Sequence, residues 1–407
     1  MSGITRREFV AASASAAALA AAGPVHGGAR ETLRVGLIGC GGRGTGAAED
    51  CLKAAGDVEL VAMADLFADR LKGSRAHLKP KIDDGRCFAG FDAYEKLLAI
   101  QEIDLVILAT PPGFRPIHLA AAIEAGKHVF MEKPAAVDPA GVRKVLEAGR
   151  KAAEKKLAVV AGTQRRHQKP YVETVARIHE GAIGEIVGGR CSWNQGGLWS
   201  RERAEGWSEM EWQCRNWLYF DWLSGDHIVE QHVHNIDVIN WALQAHPVRA
   251  VGIGGRQVRT AEVYGNIYDH FAVDFEYPNG VHVLSTCRQI DGTDNHVGES
   301  LVGTEGRARP EGAIEGANAW RFKGKAPNPY VQEHADLIAS IRAGEPLNEA
   351  RAVAESTLTA ILGREAAYTG ADVKWDALLN SKLDLAPAKY EFGPLAARAV
   401  PAPGRQR

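Results

Sequence analysis

No internal apolar run in this chain reaches the roughly 20 residues that cross a bilayer, so no membrane-spanning helix is expected. Neither sign of charge is in excess. Forty-eight Lys and Arg stand against 50 Asp and Glu, a formal net charge of -2, which removes the electrostatic case for nucleic acid or an anionic membrane surface as partner. Cysteine is scarce and scattered: Cys40, Cys51, Cys87, Cys191, Cys214 and Cys287 form no Cys-x-x-Cys pair. That gives no recognisable disulfide framework or zinc pattern and leaves most of the six as buried small hydrophobes. No internal repeat is evident. What remains is a 407-residue chain, 45% hydrophobic and 24% charged, with enough apolar content for a sizeable core and enough length for two domains.

Residues 1–32 read as a signal peptide and linker. Thr5-Arg6-Arg7-Glu8-Phe9-Val10 sets paired arginines before an Ala-rich stretch ending near Ala22, and Ala20 and Ala22 ahead of Gly23-Pro24 suit a peptidase. This is the pattern of a cleaved twin-arginine export signal. It implies a periplasmic protein, exported already folded.

Leu33-Arg34-Val35-Gly36-Leu37-Ile38 is a short apolar run typical of a buried parallel strand. It leads into Gly39-Cys40-Gly41-Gly42-Arg43-Gly44. The glycine pattern is weak alone in a chain with 44 glycines, but its context is right. A helical pattern follows through Ala47, Ala48, Cys51 and Leu52, and a second strand, Val58–Ala64, ends at Asp65, about 20 residues on. Gly39 permits the tight turn, Gly41 lets backbone approach a pyrophosphate, and Gly44 lets the helix pack on the strand. Gly42 and Arg43 complete the loop, and the helix start offers unpaired N–H groups to phosphates. Asp65 accepts from the adenosine ribose hydroxyls and repels a 2′-phosphate, so NAD is expected in preference to NADP.

The alternation continues. Strands over Asp104–Ala109, His128–Met131 and Leu157–Ala161 are separated by helices through His118 to Ala125 and over Ala140–Glu154. This is the pattern of a doubly wound parallel sheet. Thr110, Glu132, Lys133 and Gln164 fall at the carboxyl ends of its strands, where such sheets bind ligands. We read 33–163 as a Rossmann domain, 164–385 as a second domain for substrate and oligomerisation, and 386–407 as a disordered tail rich in Pro, Ala and Arg.

Glu132-Lys133-Pro134, taken with the glycine loop, Ala109-Thr110-Pro111-Pro112, Ala125-Gly126-Lys127-His128-Val129 and Gly162-Thr163-Gln164-Arg165-Arg166, resembles the glucose–fructose oxidoreductase / inositol dehydrogenase (Gfo/Idh/MocA) family over about residues 33–385. The resemblance implies an α/β second domain with a large, mostly antiparallel open sheet that often serves oligomerisation, as a dimer or tetramer. It also implies NAD(P)-dependent chemistry on a hydroxyl of a sugar, cyclitol or related polyol. Lys133 would then lie beside the nicotinamide and the reacting hydroxyl, with Thr110, Pro111, His118, Glu132 and Gln164 joining the glycine loop around the cofactor.

The second constellation is Gly225-Asp226-His227-Ile228-Val229-Glu230-Gln231-His232-Val233-His234-Asn235-Ile236-Asp237. Read as one helix, it puts Glu230 and His234 on one face, with His227 a turn earlier. The family carries an Asp-x-x-x-His pair here. His234 matches the histidine that acts on the substrate hydroxyl, and Asp237 matches a frequent downstream carboxylate. Glu230 stands in place of the usual aspartate and His232 where many members have glycine, which departs from ordinary inositol- or glucose-dehydrogenase specificity. The residue types His227, Glu230 and His234 suit zinc, but no His-Glu-x-x-His motif supports a metal and none is expected.

Seven of the nine tryptophans fall between Trp193 and Trp241. Sugar C–H faces stack on such rings, so one or two, Trp217 among them, are expected in the substrate cleft. Arg165, Arg166, His167, Arg215 and Asn216 would supply hydrogen bonds there. Pro278-Asn279-Gly280 marks a hairpin between Phe271–Tyr277 and His282–Thr286, and Glu349–Thr369 reads as an amphipathic helix.

Outside the cytoplasm little free NAD is available for exchange, so a tightly held, internally recycled dinucleotide is expected. The leading reading is oxidoreduction of a saccharide with Lys133, His234 and Glu230 as catalytic groups. The alternative is NAD-dependent glycoside hydrolysis through oxidation, elimination, hydration and re-reduction. A non-catalytic sugar or dinucleotide sensor is the reading from another class.

Overall fold

The computed structural model describes residues 32–404; the expected export signal lies outside them. β1 (Leu33–Ile38), β2 (Val58–Asp65), β3 (Cys87–Ala89), β4 (Leu105–Leu108), β5 (His128–Met131) and β6 (Val159–Ala161) form one parallel sheet in the order β3-β2-β1-β4-β5-β6. Helices on both faces explain why β4 is buried from end to end and reads as an unbroken apolar run. The order reverses between β1 and β4, which opens a crevice at the carboxyl ends of the strands.

The second sheet is built from β7 (Ile186–Gln195), β8 (Arg249–Gly255), β9 (His270–Glu276), β10 (His282–Gln289), β11 (His296–Gly303), β12 (Gly306–Arg309), β13 (Ala313–Gly316), β14 (Trp320–Arg321) and β15 (Val373–Lys374). Its order is β14-β13-β12-β11-β7-β10-β9-β8-β15. Only β7 and β10 pair in parallel; the other neighbours are antiparallel. The fold class is α/β, a Rossmann sheet followed by a mostly antiparallel one. Asn279 and Gly280 turn the β9–β10 hairpin with φ of 70° and 73°, the left-handed region that the Asn-Gly pair adopts cheaply. One face of this sheet meets helices Val233–Leu243 and Ala350–Thr369. The other is open, and leaves Val251, Leu284 and Ile253, the last 74% exposed.

Two expectations change. Helix Ala350–Thr369 is buried on nearly every side and has no solvated polar face. It lies between β8 and β9 and helix Pro139–Glu154, and its polar residues lock the layers together: the Thr357 hydroxyl accepts from Ala135 N at 3.1 Å, and the buried Arg364 donates to the carbonyls of Val137 and Gly225. Helix Pro329–Ala343 of the second segment returns to pack on the helix Gly42–Ala54 of the first sheet. Finally, residues 386–404 lack regular structure but are not free. Phe392 stacks on Phe67 with centroids 5.8 Å apart and meets Phe91, Tyr390 meets Phe91 and Phe114, and Tyr268 donates to the Pro401 carbonyl at 3.0 Å. Two aromatic rings in a Pro- and Ala-rich stretch bury enough surface to hold it down.

Five of the six cysteines are buried thiols and Cys87 is partly so. Among the described residues no helix is long and apolar enough to cross a membrane.

Candidate active site

The glycine loop is shaped by contacts that tolerate no side chain at two positions. Gly39 has φ of +102°, and a Cβ on Gly44 would stand 1.8 Å from the Gly39 carbonyl oxygen. At Gly41 and Gly42 a Cβ would meet nothing within 4 Å; there the glycines leave a space beside bare backbone. Asp65 ends β2 and its carboxylate accepts from Cys40 N at 2.6 Å and Phe67 N at 2.7 Å. Burial raises its pKa against those two bonds. A cavity of about 440 Å³ runs from Gly41 and Gly42 past Asp65 to Thr110, Pro111 and His118. His118 sits 3.1 Å from the Thr110 hydroxyl; burial, then the neighbouring Arg115 charge, lowers its pKa to about 3, so it is neutral. Beyond β6, Gln164 holds a buried side-chain carbonyl oxygen with no partner. A bare-backbone cradle, a carboxylate at the second strand's end and an orphaned amide acceptor at the sheet's carboxyl edge fit a dinucleotide.

Lys133 follows β5. Its ammonium donates to the Glu230 carboxylate at 2.8 Å and to the Glu230 carbonyl at 2.5 Å, with the two side chains 13% and 12% exposed. Next to it Glu132 accepts from Arg43 Nε at 2.8 Å, so two residues expected at the cofactor hold each other and tie the glycine-loop helix to β5. Arg115, which sequence reasoning missed, is buried and donates to the carbonyls of Leu108, Thr110 and Pro134 at 2.7, 2.8 and 3.0 Å. It braces the loops after β4 and β5. Its only signal in the sequence is a basic residue opening an otherwise apolar helix.

The 225–237 segment is not one helix. Gly225 and Asp226 both have positive φ, a short helix spans His227–Glu230, and another begins at Val233. The break comes from side chains anchored on β10: His232 Nε2 is hydrogen-bonded to the Ser285 hydroxyl at 2.7 Å, and Gln231 accepts from Gln289. The break leaves Glu230 on Lys133 and starts a new helix that buries His234. Burial, then the charges of Lys133 and Arg165, hold His234 well below its usual range, so it is a neutral imidazole at pH 7. Its Nδ1 has no partner, and the Trp193 ring stacks against it at 5.8 Å. A neutral histidine near a lysine–carboxylate pair can take a proton from a hydroxyl while the lysine holds the oxygen. His227 lies elsewhere, buried against Asp226 at 3.0 Å. Among the described residues no three His, Cys, Asp or Glu stand together as metal ligands.

The expected substrate contacts are placed differently. Arg166 makes a bidentate pair with Asp237 at 2.8 and 2.9 Å, and Asp237 also accepts from Ser356 at 2.7 Å; this buried carboxylate braces helices and is not open to a ligand. Asn216 is fully buried. Its side chain accepts from Arg201 N at 2.9 Å and donates to the Val263 carbonyl at 2.7 Å, which fixes a loop and leaves no amide for a sugar. Trp217, with Trp199, lines the cavity of the glycine loop. The tryptophan beside His234 is Trp193, and the Arg165 guanidinium lies 5.7 Å from its ring while pairing with the buried Glu299.

His167 ties the loop after β6 to the later helices. It is 2.6 Å from Asp336 and 3.3 Å from Glu349, and Glu349 also accepts from Ala161 N at 2.8 Å. Burial opposes its charge, but Glu349 and Asp336 overcome this and raise its pKa to about 10. A raised folded pKa contributes stability that is complete below the unfolded value near 6.5 and is lost as pH rises through about 10. Denaturant melts should therefore show stability falling across that window, by on the order of a few kcal/mol, and His167→Gln should flatten the fall. An unchanged profile in the variant would contradict the assignment.

Residues 33–161 match the model of an oxidoreductase family with an NAD-binding Rossmann fold, and residues 171–309 match the C-terminal domain of the same Gfo/Idh/MocA family. Inositol 2-dehydrogenase of Salmonella typhimurium is 29% identical over 161 residues, 39% of this chain and 46% of the relative. A glycosyl hydrolase family 109 protein of Porphyromonas gingivalis is 30% identical over 159 residues, 39% of this chain and 33% of the relative. In these matches the chain spans about half or less of the relatives' length. Scyllo-inositol dehydrogenase from Lactobacillus casei, solved with NAD(H) and scyllo-inositol, superposes with a TM-score of 0.67 at 18% identity, covering 85% of this chain and 100% of that one; at this identity the likeness speaks for the fold. With both of its halves matched in order, the chain belongs to the Gfo/Idh/MocA oxidoreductase family.

Proposed function

We propose that the protein uses a bound NAD to oxidise or reduce a hydroxyl of a sugar or related polyol. The observation that carries this reading is the meeting of Lys133, Glu230 and neutral His234 beside the Trp193 ring, with the NAD-binding fold on the same chain. The Gly41–Gly42 backbone, Asp65 and Thr110 would hold the dinucleotide, and Gln164 would meet its carboxamide. When bound, the nicotinamide supplies the two-electron acceptor. Lys133 donates a hydrogen bond to the reacting hydroxyl, His234 accepts its proton, and Glu230 keeps the Lys133 ammonium aimed. Trp193 offers an apolar face to the C–H side of the ring.

A second reading is net glycoside hydrolysis through transient oxidation. The likeness to the family 109 hydrolase and the presence of both a neutral histidine and a lysine–carboxylate pair favour keeping it. Export by the twin-arginine route, with the dinucleotide loaded beforehand and recycled in place, belongs to the same proposal. So does a homo-oligomer joined through the open sheet face around Val251, Ile253 and Leu284.

The test is a spectrum of the purified protein's nicotinamide during addition of sugars, polyols and chromogenic glycosides. A reduced-nicotinamide band that persists until an acceptor is added is the expected result. Aglycone release with no net reduction would move the assignment to the hydrolase. A bound dinucleotide with no turnover on any of them would make the chain a sensor.

A further inference from the structure

The space beside the glycine loop has two chambers, of about 440 and 590 Å³, and both are lined by Gly41, Gly42, Arg70 and Arg201. These four residues form the neck between them. Gly41 and Gly42 bring bare backbone to it, and Arg70 and Arg201 bring two basic residues. Arg70 comes from the helix after β2, but Arg201 comes from the loop that leaves the second sheet after β7.

The other arginines around the cavity are already engaged. Arg43 pairs with Glu132 and Asp50. Arg215 pairs with Asp69 and Glu211 and lies 3.9 Å from the centre of the Phe67 ring. Among the described residues, the guanidinium groups of Arg70 and Arg201 form no ion pair and donate no hydrogen bond; that of Arg201 lies over the Trp199 ring, 5.9 Å from its centre. Burial, then the nearby charges of Arg70 and Arg215, lowers the pKa of Arg201, with Asp69 the opposing carboxylate. Asp65 and Asp69 also stand within electrostatic reach of Arg70, but neither closes an ion pair with it, and two neighbouring cations left without one suit an anion.

Arg201 is also held in place. Its N–H donates to the Asn216 side chain at 2.9 Å and its carbonyl accepts from Trp212 Nε1 at 2.8 Å, and Asn216 and Trp212 are both buried. Gly197 N, near the start of the same loop, donates to Asp291 at 2.7 Å. The loop's backbone is therefore set before any ligand arrives, which lowers the ordering cost of binding.

We propose that Arg201 and Arg70 close on the diphosphate of the dinucleotide opposite the Gly41–Gly42 backbone, so that a residue of the second half clamps the cofactor held by the first. This rests on the cofactor reading above. The ligand class is a diphosphate diester, not a 2′-phosphate. Asp65 repels a phosphate at the ribose, whereas the neck faces the glycine amides that a diphosphate must approach. Release then requires the Arg201 loop to withdraw, which links cofactor retention to the second domain.

The test is equilibrium binding of NAD+, ADP-ribose and NADP+ to dinucleotide-stripped protein, measured calorimetrically for the wild type, Arg201→Ala, Arg201→Lys and Arg70→Ala. Each alanine variant should weaken NAD+ and ADP-ribose by about 10- to 100-fold. Arg201→Lys should recover part of that loss, and salt dependence should be shallower in the alanine variants. Unchanged NAD+ and ADP-ribose affinity in Arg201→Ala overturns the clamp, as does a loss confined to NADP+. A wild-type chain that takes up none of the three removes the cofactor reading itself, and the clamp with it.

Discussion

Lys133→Ala is expected to lower kcat by about two to four orders of magnitude, the range associated with removal of a positioned proton-transfer group. Dinucleotide binding should change far less. The substitution strips the Glu230 carboxylate of a donor at 2.8 Å, and an uncompensated charge that is mostly buried costs stability on its own. Lys133→Ala combined with Glu230→Gln separates the two effects, because the amide no longer carries the unpaired charge. The double variant should regain much of the lost Tm and none of the lost turnover. If turnover returned with stability, Lys133 would be a structural partner of Glu230 and the proposed chemistry would lose its centre. A bystander role for Glu230 is equally checkable: Glu230→Gln alone should leave substrate KM close to its original value while kcat falls, since the residue acts through Lys133.

The second large effect is at Gly44. Any Cβ there stands 1.8 Å from the Gly39 carbonyl and 3.1 Å from the Ala109 side chain. The first neighbour is backbone and cannot swing away. Gly44→Ala should push the helix Gly42–Ala54 off β1, lower Tm by a few degrees or more, and abolish measurable dinucleotide binding. Gly42→Ala is the matched control. Its Cβ meets nothing within 4 Å, so the fold should keep its Tm, while the methyl group enters the space reserved for the diphosphate and weakens binding. Equal effects of the two substitutions on Tm would contradict the division of labour within the loop.

The first half of the molecule was legible because its signals are local. A strand, a glycine turn, a helix and an acidic strand end follow one another in sequence, and each of Gly39, Gly41, Gly44 and Asp65 acts near its own neighbours. Lys133 and His234 could be named from motifs, but their meeting could not be derived, since it depends on residues 97 positions apart at Lys133 and Glu230. The broken helix at Gln231–His232 was hidden for a related reason. Periodicity favours one helix, and only tertiary anchors on Ser285 and Gln289 overrule it. Asn216 looked like a site residue because it is polar and lies among the tryptophans, and Asp237 because it matches a carboxylate frequent in the family. The fold uses both as internal braces, with every strong hydrogen-bonding position engaged. Composition likewise gave the tail a disordered look, although two rings, Tyr390 and Phe392, suffice to seat it against Phe67, Phe91 and Phe114. Arg115 carried only the signal of a basic residue opening an apolar helix, and Arg201 carried none, because their roles come from the carbonyls and cavities that surround them.

The whole reading depends on the first βαβ unit holding a nicotinamide dinucleotide against Lys133. Native mass spectrometry of the purified chain, before and after incubation with NAD+, tests it most directly. One dinucleotide per chain is expected in the wild type and none in Gly44→Ala; a wild-type chain that carries no dinucleotide and takes up none would overturn the cofactor reading.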